Sequence, residues 1–280
     1  MIENVTNCWR CSLIAADSAI RRAVLALAAD RPDRLEVELV CDRRGVALES
    51  VSPGAGVQLL AGEGELFRGN VSSRSLEVDR GESVGRFVAY SDYETHRGGK
   101  PRESYYQMSD GEVAERIACE LGLESRVERT SFVHERLDRV GDSLRFLRQR
   151  ARQIGFELAV TAGTLWFASS LPAVDELPFP CTTPMVKPDG ELLSIHVEDR
   201  GELGRGGEIV LAGDDRWRPL VVFEIEGFGA MWDGSYRAIR CIHSRGIDGA
   251  RTRVVFLERG ADRVRWDGDP EFGRASHGCG

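Results

Sequence analysis

The residues whose types and spacing could do chemistry are few. Cys8-Trp9-Arg10-Cys11 has the spacing of a zinc knuckle or a redox pair. A structural zinc needs two more ligands, and no second pair stands at comparable spacing. A thioredoxin-type site needs the motif at a helix N-terminus in a βαβ unit, whereas here it precedes a weak strand. Both cysteines are therefore expected to be structural. His277 and Cys279 lie close together, but in a polar, glycine-rich tail expected to be frayed, so no metal is expected there. Gly201, Gly204, Gly206 and Gly207 cluster. A dinucleotide fingerprint needs a strand before and a helix after it; strand residues follow, so the cluster is expected to be a loop. Asp214-Asp215 and Glu198-Asp199 are dense acidic points at turns between strands. Neither has the apolar surroundings that raise one carboxyl for acid catalysis. His96, His134, His196, His243 and His277 form no HExxH and no i, i+4 pair, and there is neither a phosphate loop nor a Gly-x-Ser-x-Gly elbow. No catalytic, cofactor-binding or metal-ligating residue is assigned.

The elements that would position such groups change period along the chain. Leu35, Val37, Leu39 and Cys41 alternate with Glu36, Glu38 and Val40, which predicts a half-buried strand. Turns at Gly45, at Pro53-Gly54-Ala55-Gly56, at Gly62-Glu63-Gly64 and at Arg80-Gly81-Glu82 separate short strands up to Tyr90. Turn signals every 8–12 residues suggest a small barrel or sandwich. Ser18 to Ala29, rich in Ala and Leu, is the exception and reads as a helix. Further on, Ser109 and Glu112 have capping-box spacing ahead of Val113, Ile117 and Leu121, and Gly122 ends that helix. A second helix runs from near Asp142 to Gly155 with Leu144, Leu147, Ala151 and Ile154 on one side. A hairpin then crosses Ala162-Gly163. Arg145, Arg148 and Arg152 share the face opposite the leucines, with Arg150 nearby. They are expected to be solvated, or to meet an acidic subunit; no aromatic interleaves with them, as single-stranded nucleic acid would require.

Pro172, Pro178, Pro180, Pro184 and Pro188 mark a crossing segment, after which strands return at 192–197, 208–211, 220–225, 235–243 and 252–258. The 280 residues are 42% apolar and carry a formal net charge of −8, so a sizeable core is affordable and general phosphate binding is disfavoured. No apolar run approaches the ~20 residues of a membrane helix. The short apolar stretch after Arg21 and Arg22 does not read as a secretory signal, so synthesis in a cytoplasm is expected. Seven scattered cysteines do not suggest a disulfide framework.

The order of the pieces says more than any one of them. Gly111-Glu-Val-Ala-Glu-Arg-Ile-Ala-Cys-Glu-Leu-Gly-Leu123, then Asp142-Ser-Leu-Arg-Phe-Leu-Arg-Gln-Arg-Ala-Arg-Gln-Ile-Gly-Phe156, then Leu165-Trp-Phe167 resemble the late-control gene D family. These are baseplate hub proteins of contractile phage tails and related injection systems, including the hub part of type VI spike proteins. Upstream, Phe67-Arg68-Gly69 with Val71 is similar to a strand of the family's first barrel. Downstream, Gly234-Ser-Tyr236 with Ile239, His243 and Thr252 is similar to a stretch of its second. His243 is expected to be a structural hydrogen-bonder.

The resemblance implies a mainly β fold with an α+β insertion: two similar β-barrel domains plus a small helix–helix–hairpin domain. The expected bounds are 1–95 for the first barrel, 96–170 for the insertion, 171–188 for the crossing segment, 189–260 for the second barrel and 261–280 for a flexible tail. It implies a homotrimer adapting a three-fold spike to a six-fold tail tube. The implied partners are a separate spike protein, the tail tube protein, and other baseplate proteins including a tape-measure protein. No enzyme activity, cofactor, membrane insertion or sequence-specific nucleic-acid binding is implied, and the particle would be a virion tail or injection device assembled in a bacterial cytoplasm. No needle or lysozyme sequence follows, so the spike is expected to be another polypeptide. The alternatives are a distal-tail or tube-initiator protein of a non-contractile tail and a tail-associated cell-wall hydrolase.

Overall fold

The computed structural model describes residues 9–13, 20–29, 31–41, 48, 51–61, 64–79, 82–91, 102–172, 177, 184–188, 191–199, 204–247 and 249–258. The first strands are β1 (Trp9–Cys11), β2 (Ile20–Ala28), β3 (Arg34–Cys41), β4 (Gly56–Ala61), β5 (Gly64–Asp79) and β6 (Glu82–Ser91). Next come β7 (Arg102–Ser109), α1 (Asp110–Glu120), β8 (Glu124–Val127), β9 (Val133–Val140), α2 (Ser143–Ile154), β10 (Glu157–Thr161) and β11 (Thr164–Ala168). The chain continues through β12 (Met185–Val186), β13 (Leu192–Asp199), β14 (Arg205–Ala212), β15 (Val222–Ile225), β16 (Gly234–Gly246) and β17 (Gly249–Glu258).

Strands from both ends of the chain build one twelve-stranded sheet in the order β1-β4-β5-β6-β3-β2-β16-β17-β14-β13, with β15 beside β16 and β12 beside β15. Alternation places its core. In β3, Leu35, Val37 and Leu39 are fully buried, Glu36 and Glu38 are half-buried, and Val40 is exposed. Two apolar cores lie along the sheet. One gathers Trp9, Leu25, Leu35, Val37, Leu59 and Phe87. The other gathers Ile209, Trp217, Phe223, Tyr236, Val254 and Phe256, whose rings meet edge-on, as in the Trp217–Phe223 pair at 5.0 Å. Among the described residues no ladder closes either half into a barrel.

The stretch 18–29 corrects the sequence reading, because its described part is strand β2 and not a helix. Helix propensity favours Ala and Leu, but it is a weak preference. Here β2 lies at the seam, paired with β3 on one side and with β16 on the other, from Ala28↔Arg240 to Arg22↔Gly246. Burial between two neighbours outweighs the local preference. The glycines at 69 and 207 answer to the same crowding. A Cβ on Gly69 would sit 2.0 Å from the Tyr90 carbonyl oxygen and 2.7 Å from the Phe67 ring, and one on Gly207 would sit 1.9 Å from the His196 carbonyl oxygen. The glycine cluster corrects the sequence reading in part: Gly206 and Gly207, expected to lie in a loop, are residues of β14 paired with Glu198 and Val197.

The insertion has its own core of Val113, Ile117, Leu144, Leu147, Leu165 and Phe167. The capping box at Ser109 and Glu112 is present. Gly155 takes the left-handed conformation at φ 76° that closes α2. Ala162 and Gly163, at φ 46° and 76°, make the two-residue turn of the β10–β11 hairpin. Three strands were not foreseen: β8, which pairs parallel to β11, and the two-stranded ribbon of β7 and β9. A small cluster of Ala159, Trp166, Leu177 and Leu220 packs the hairpin against the sheet. There Val160 donates its amide to the Ala29 carbonyl at 2.9 Å.

Candidate functional site

The motifs singled out in the sequence resolve into structural parts. Cys8 lies outside the described residues, as do His96, Cys181, Gly201, His277 and Cys279. Trp9 and Cys11 belong to β1, and both are buried. The Trp9 indole Nε1 donates to Asp215 Oδ2 at 3.0 Å, and the Arg245 guanidinium lies 5.5 Å from the centre of the Trp9 ring. The acidic pair at 214–215 is thereby divided. Asp215 ties β1 to the turn that follows β14, while Asp214 takes a bidentate Arg216 at 2.9 and 3.0 Å. Burial pushes the Asp214 carboxyl up, but the hydrogen bonds from Arg216 outweigh it and leave it below its ordinary value. Such a carboxylate is a poor general acid. Cys11, Cys41, Cys119 and Cys241 are free thiols. Burial raises the pKa of Cys11 and Cys241, which disfavours the reactive thiolate. Among the described residues no three His, Cys, Asp or Glu side chains are grouped to hold a metal.

His243 is buried in the second core. Its Nε2 lies 2.9 Å from the Trp217 carbonyl oxygen, which requires the proton on Nε2, and its Nδ1 lies 3.1 Å from Thr252 Oγ1. Thr252 Oγ1 in turn accepts from the Asp214 amide at 3.1 Å. Burial, reinforced by the nearby charge of Arg218, pushes the imidazole pKa down to about 3. A neutral, enclosed imidazole with both nitrogens engaged braces the 214–217 turn against β16 and β17. Tyr236 does comparable work: its hydroxyl donates to the Trp232 carbonyl at 2.6 Å, and Arg205 stacks 5.4 Å over its ring while pairing with Glu258 at 2.6 Å.

Two buried polar clusters in the insertion have no precedent in the sequence reading. Asp110, 2% exposed, opens α1 and receives Arg150 Nε at 2.6 Å and Nη2 at 3.0 Å, with His134 Nε2 3.0 Å away. Burial pushes this carboxyl up, but the hydrogen bonds from Arg150 and His134 outweigh it and lower its pKa. Arg139, 1% exposed, binds Glu103 at 2.7 Å, Glu120 at 3.0 Å and Ser143 Oγ at 2.6 Å, and faces the Tyr105 ring. One arginine thus ties β7, the end of α1 and the start of α2. The basic stripe of α2 is therefore not uniform. Arg145 and Arg152 are exposed, Arg148 is half-buried, and Arg150 is a core ion-pair partner. Amphipathic spacing cannot find Arg150, because its partner lies 40 positions away.

None of these clusters combines a nucleophile, a base and an open approach. What the molecule does present is backbone. Among the described strands, β13 has a neighbour only in β14. Beyond Asn70, β5 continues to Asp79 with β6 as its ladder partner among the described strands, while Val71 exchanges hydrogen bonds with Gly54 and Ala55 and Arg74 donates to the Leu48 and Val51 carbonyls. Leu76 and Val78 on β5 and Leu193 on β13 are exposed there. Unpaired edges of this kind template pairing with another chain.

No protein-family model matches the sequence, and no curated protein matches it. Solved structures do. The 43 kDa tail protein of prophage MuSo2 from Shewanella oneidensis superposes with a TM-score of 0.68 at 9% identity, over 87% of this chain and 96% of that one. An Escherichia coli type VI secretion component, described as structurally similar to two T4 bacteriophage tail proteins, gives 0.70 at 10% identity over 90% and 76%. A tail protein of Neisseria meningitidis MC58 gives 0.65 at 12% over 87% and 93%. The fold of this chain is that of these phage tail and type VI secretion proteins, as the order of its sequence motifs anticipates.

Proposed function

We propose that this chain is a structural hub of a phage tail or related injection system, acting as a homotrimer without catalysis. The observation that carries the reading is the seam of β2 and β16, which joins two strand groups, each with its own core, into one sheet. We assign these two halves to two similar domains of 1–95 and 189–260, with an insertion of 96–170, a crossing segment of 171–188 and a tail of 261–280 as the proposed bounds. Three copies then offer six similar units to a six-fold tube and three to a spike. The partners are a separate spike protein, the tube protein and other baseplate proteins. After synthesis in the bacterial cytoplasm, the protein becomes part of the particle.

Native mass spectrometry at micromolar concentration, alone and with tube protein, tests this. A trimer is expected. A stable hexamer would replace the hub with a tube-initiator, and cell-wall cleavage by the purified chain would replace it with a hydrolase.

A further inference from the structure

Helix α2 departs from the charge balance of the rest of the chain. Its 12 residues hold Arg145, Arg148, Arg150 and Arg152 and no Asp or Glu, in a protein of net charge −8. The first turn carries no acid. Arg145 stands there instead, against the positive end of the helix dipole. By contrast, α1 opens on Asp110 and Glu112. Arg150 is accounted for by its ion pair with Asp110. Arg145 and Arg152 are exposed, and among the described residues neither has an ion-pair partner. Arg86, Arg136 and Arg253 are exposed too, but pair with Glu38 at 3.1 Å, Asp138 at 2.9 Å and Glu208 at 2.6 Å.

Arg145, Gln149 and Arg152, at i, i+4 and i+7, lie one above another on the face turned away from buried Leu147 and Ala151. Gln153, also exposed, flanks them. Its amide oxygen accepts from Arg150 Nη1 at 2.5 Å, which leaves its NH2 as the group to meet a partner. The face is thus rich in hydrogen-bond donors and positive charge, and its complement in both respects is a row of carboxylates. The spacing selects what carries them. Positions 145 and 152 are about 10 Å apart along the axis, at about 1.5 Å per residue. Acidic residues at i and i+7 of a second helix repeat at that distance, with i+3 or i+4 set against Gln149. Same-face residues of an extended strand recur about every 7 Å and fall out of step. Nucleic acid is disfavoured by the net charge and by the lack of aromatics among the arginines. We infer that the solvent face of α2, at Arg145, Gln149 and Arg152, docks an acidic helix of a partner protein. This surface lies outside the twelve-stranded sheet and is independent of the ring proposed above.

Fluorescence anisotropy of the full chain with a labelled helical peptide of alanine and glutamate, its glutamates at i, i+4 and i+7, tests it. Binding is expected, and it should weaken as salt is raised. Arg145→Glu together with Arg152→Glu should weaken it at least tenfold and leave the melting temperature unchanged. Where the acidic pair disturbs the fold, Arg145→Gln with Arg152→Gln carries the same test. A peptide with lysines at the three positions should reverse the preference and bind the Glu variant better than the unaltered chain. No binding of the acidic helix, or equal binding by the variant, overturns the docking surface. So does equal binding of a peptide whose glutamates are spread around the helix, since net charge alone then explains the attraction. Tighter binding of a single-stranded oligonucleotide, lost in the same variant, replaces the protein partner with nucleic acid.

Discussion

Replacing Arg150 with Met should destabilise the protein far more than the same change two residues along the helix. The carboxylate of Asp110 is 2% exposed, and Arg150, 17% exposed, supplies two of its three close polar contacts. Removing one partner of a fully buried ion pair costs about 3–5 kcal/mol, because the other charge is left without compensation. His134 remains beside Asp110, and the Arg150 head partly reaches water, so the loss should be nearer about 2–3 kcal/mol. With a urea dependence of about 1–3 kcal/mol per molar, the unfolding midpoint should fall by roughly 1 M. Arg152→Met, at an exposed position of the same helix, should stay within about 0.5 kcal/mol of the unaltered protein. A double-mutant cycle with Asp110→Asn should return a coupling of at least about 1 kcal/mol. The acid limb provides a second readout. A carboxyl whose folded pKa is depressed adds stability above its unfolded value, and that stability is lost as pH falls through the folded value. Arg150→Met should flatten this loss. Equal midpoints for the two Met variants, or a coupling near zero, would refute the assignment of Arg150 as the partner that holds α2 to the start of α1.

Leu147→Ala, at 1% exposure within the insertion core, should cost about 2–5 kcal/mol by equilibrium denaturation. Gly207→Ala should cost roughly 1–3 kcal/mol and lower the melting temperature, since its methyl has backbone 1.9 Å away. His243 titrates near 3 when folded and near 6.5 when unfolded, so its contribution is complete above about pH 6.5 and falls by about 2 kcal/mol between pH 7 and 5. Burial raises Asp33 to about 7, which acts in the opposite sense over the same window. His243→Gln keeps a donor for the Trp217 carbonyl, and its stability measured by denaturant melts should rise, not fall, on going from pH 7 to 5.

The parts of the fold that were legible in the sequence are those specified by near neighbours. The capping box at Ser109, the stop at Gly155 and the turn at Ala162-Gly163 are written within a few positions of where they act. The strands from Leu35 and from Ser235 declare themselves by alternation. What escaped is set by distant partners. The residues of β2 took their conformation from β16, and β9, with its run His134-Glu135-Arg136, exposes most of its length and so shows no apolar period. Arg139 reads as one more surface cation until Glu103, Glu120 and Ser143 are brought around it. The Cys-x-x-Cys spacing drew attention to the cysteines, while the residue between them that matters is Trp9, which reaches Asp215 across the chain.

The seam strand also sets the order in which this protein can fold. Ala28 of β2 pairs with Arg240, about 200 positions later. At a translation rate of about 5–20 residues per second, its partner emerges from the ribosome roughly 10–40 s after it. Throughout that interval β2 can pair with β3, but its other edge stays open in the nascent chain. Contacts so remote in sequence slow folding, because the loop must close before the ladder returns any stabilisation. The apolar end of β2, from Ala23 to Ala28, is therefore the segment of this chain most exposed to mispairing between nascent copies, and chains truncated before β16 should aggregate through it.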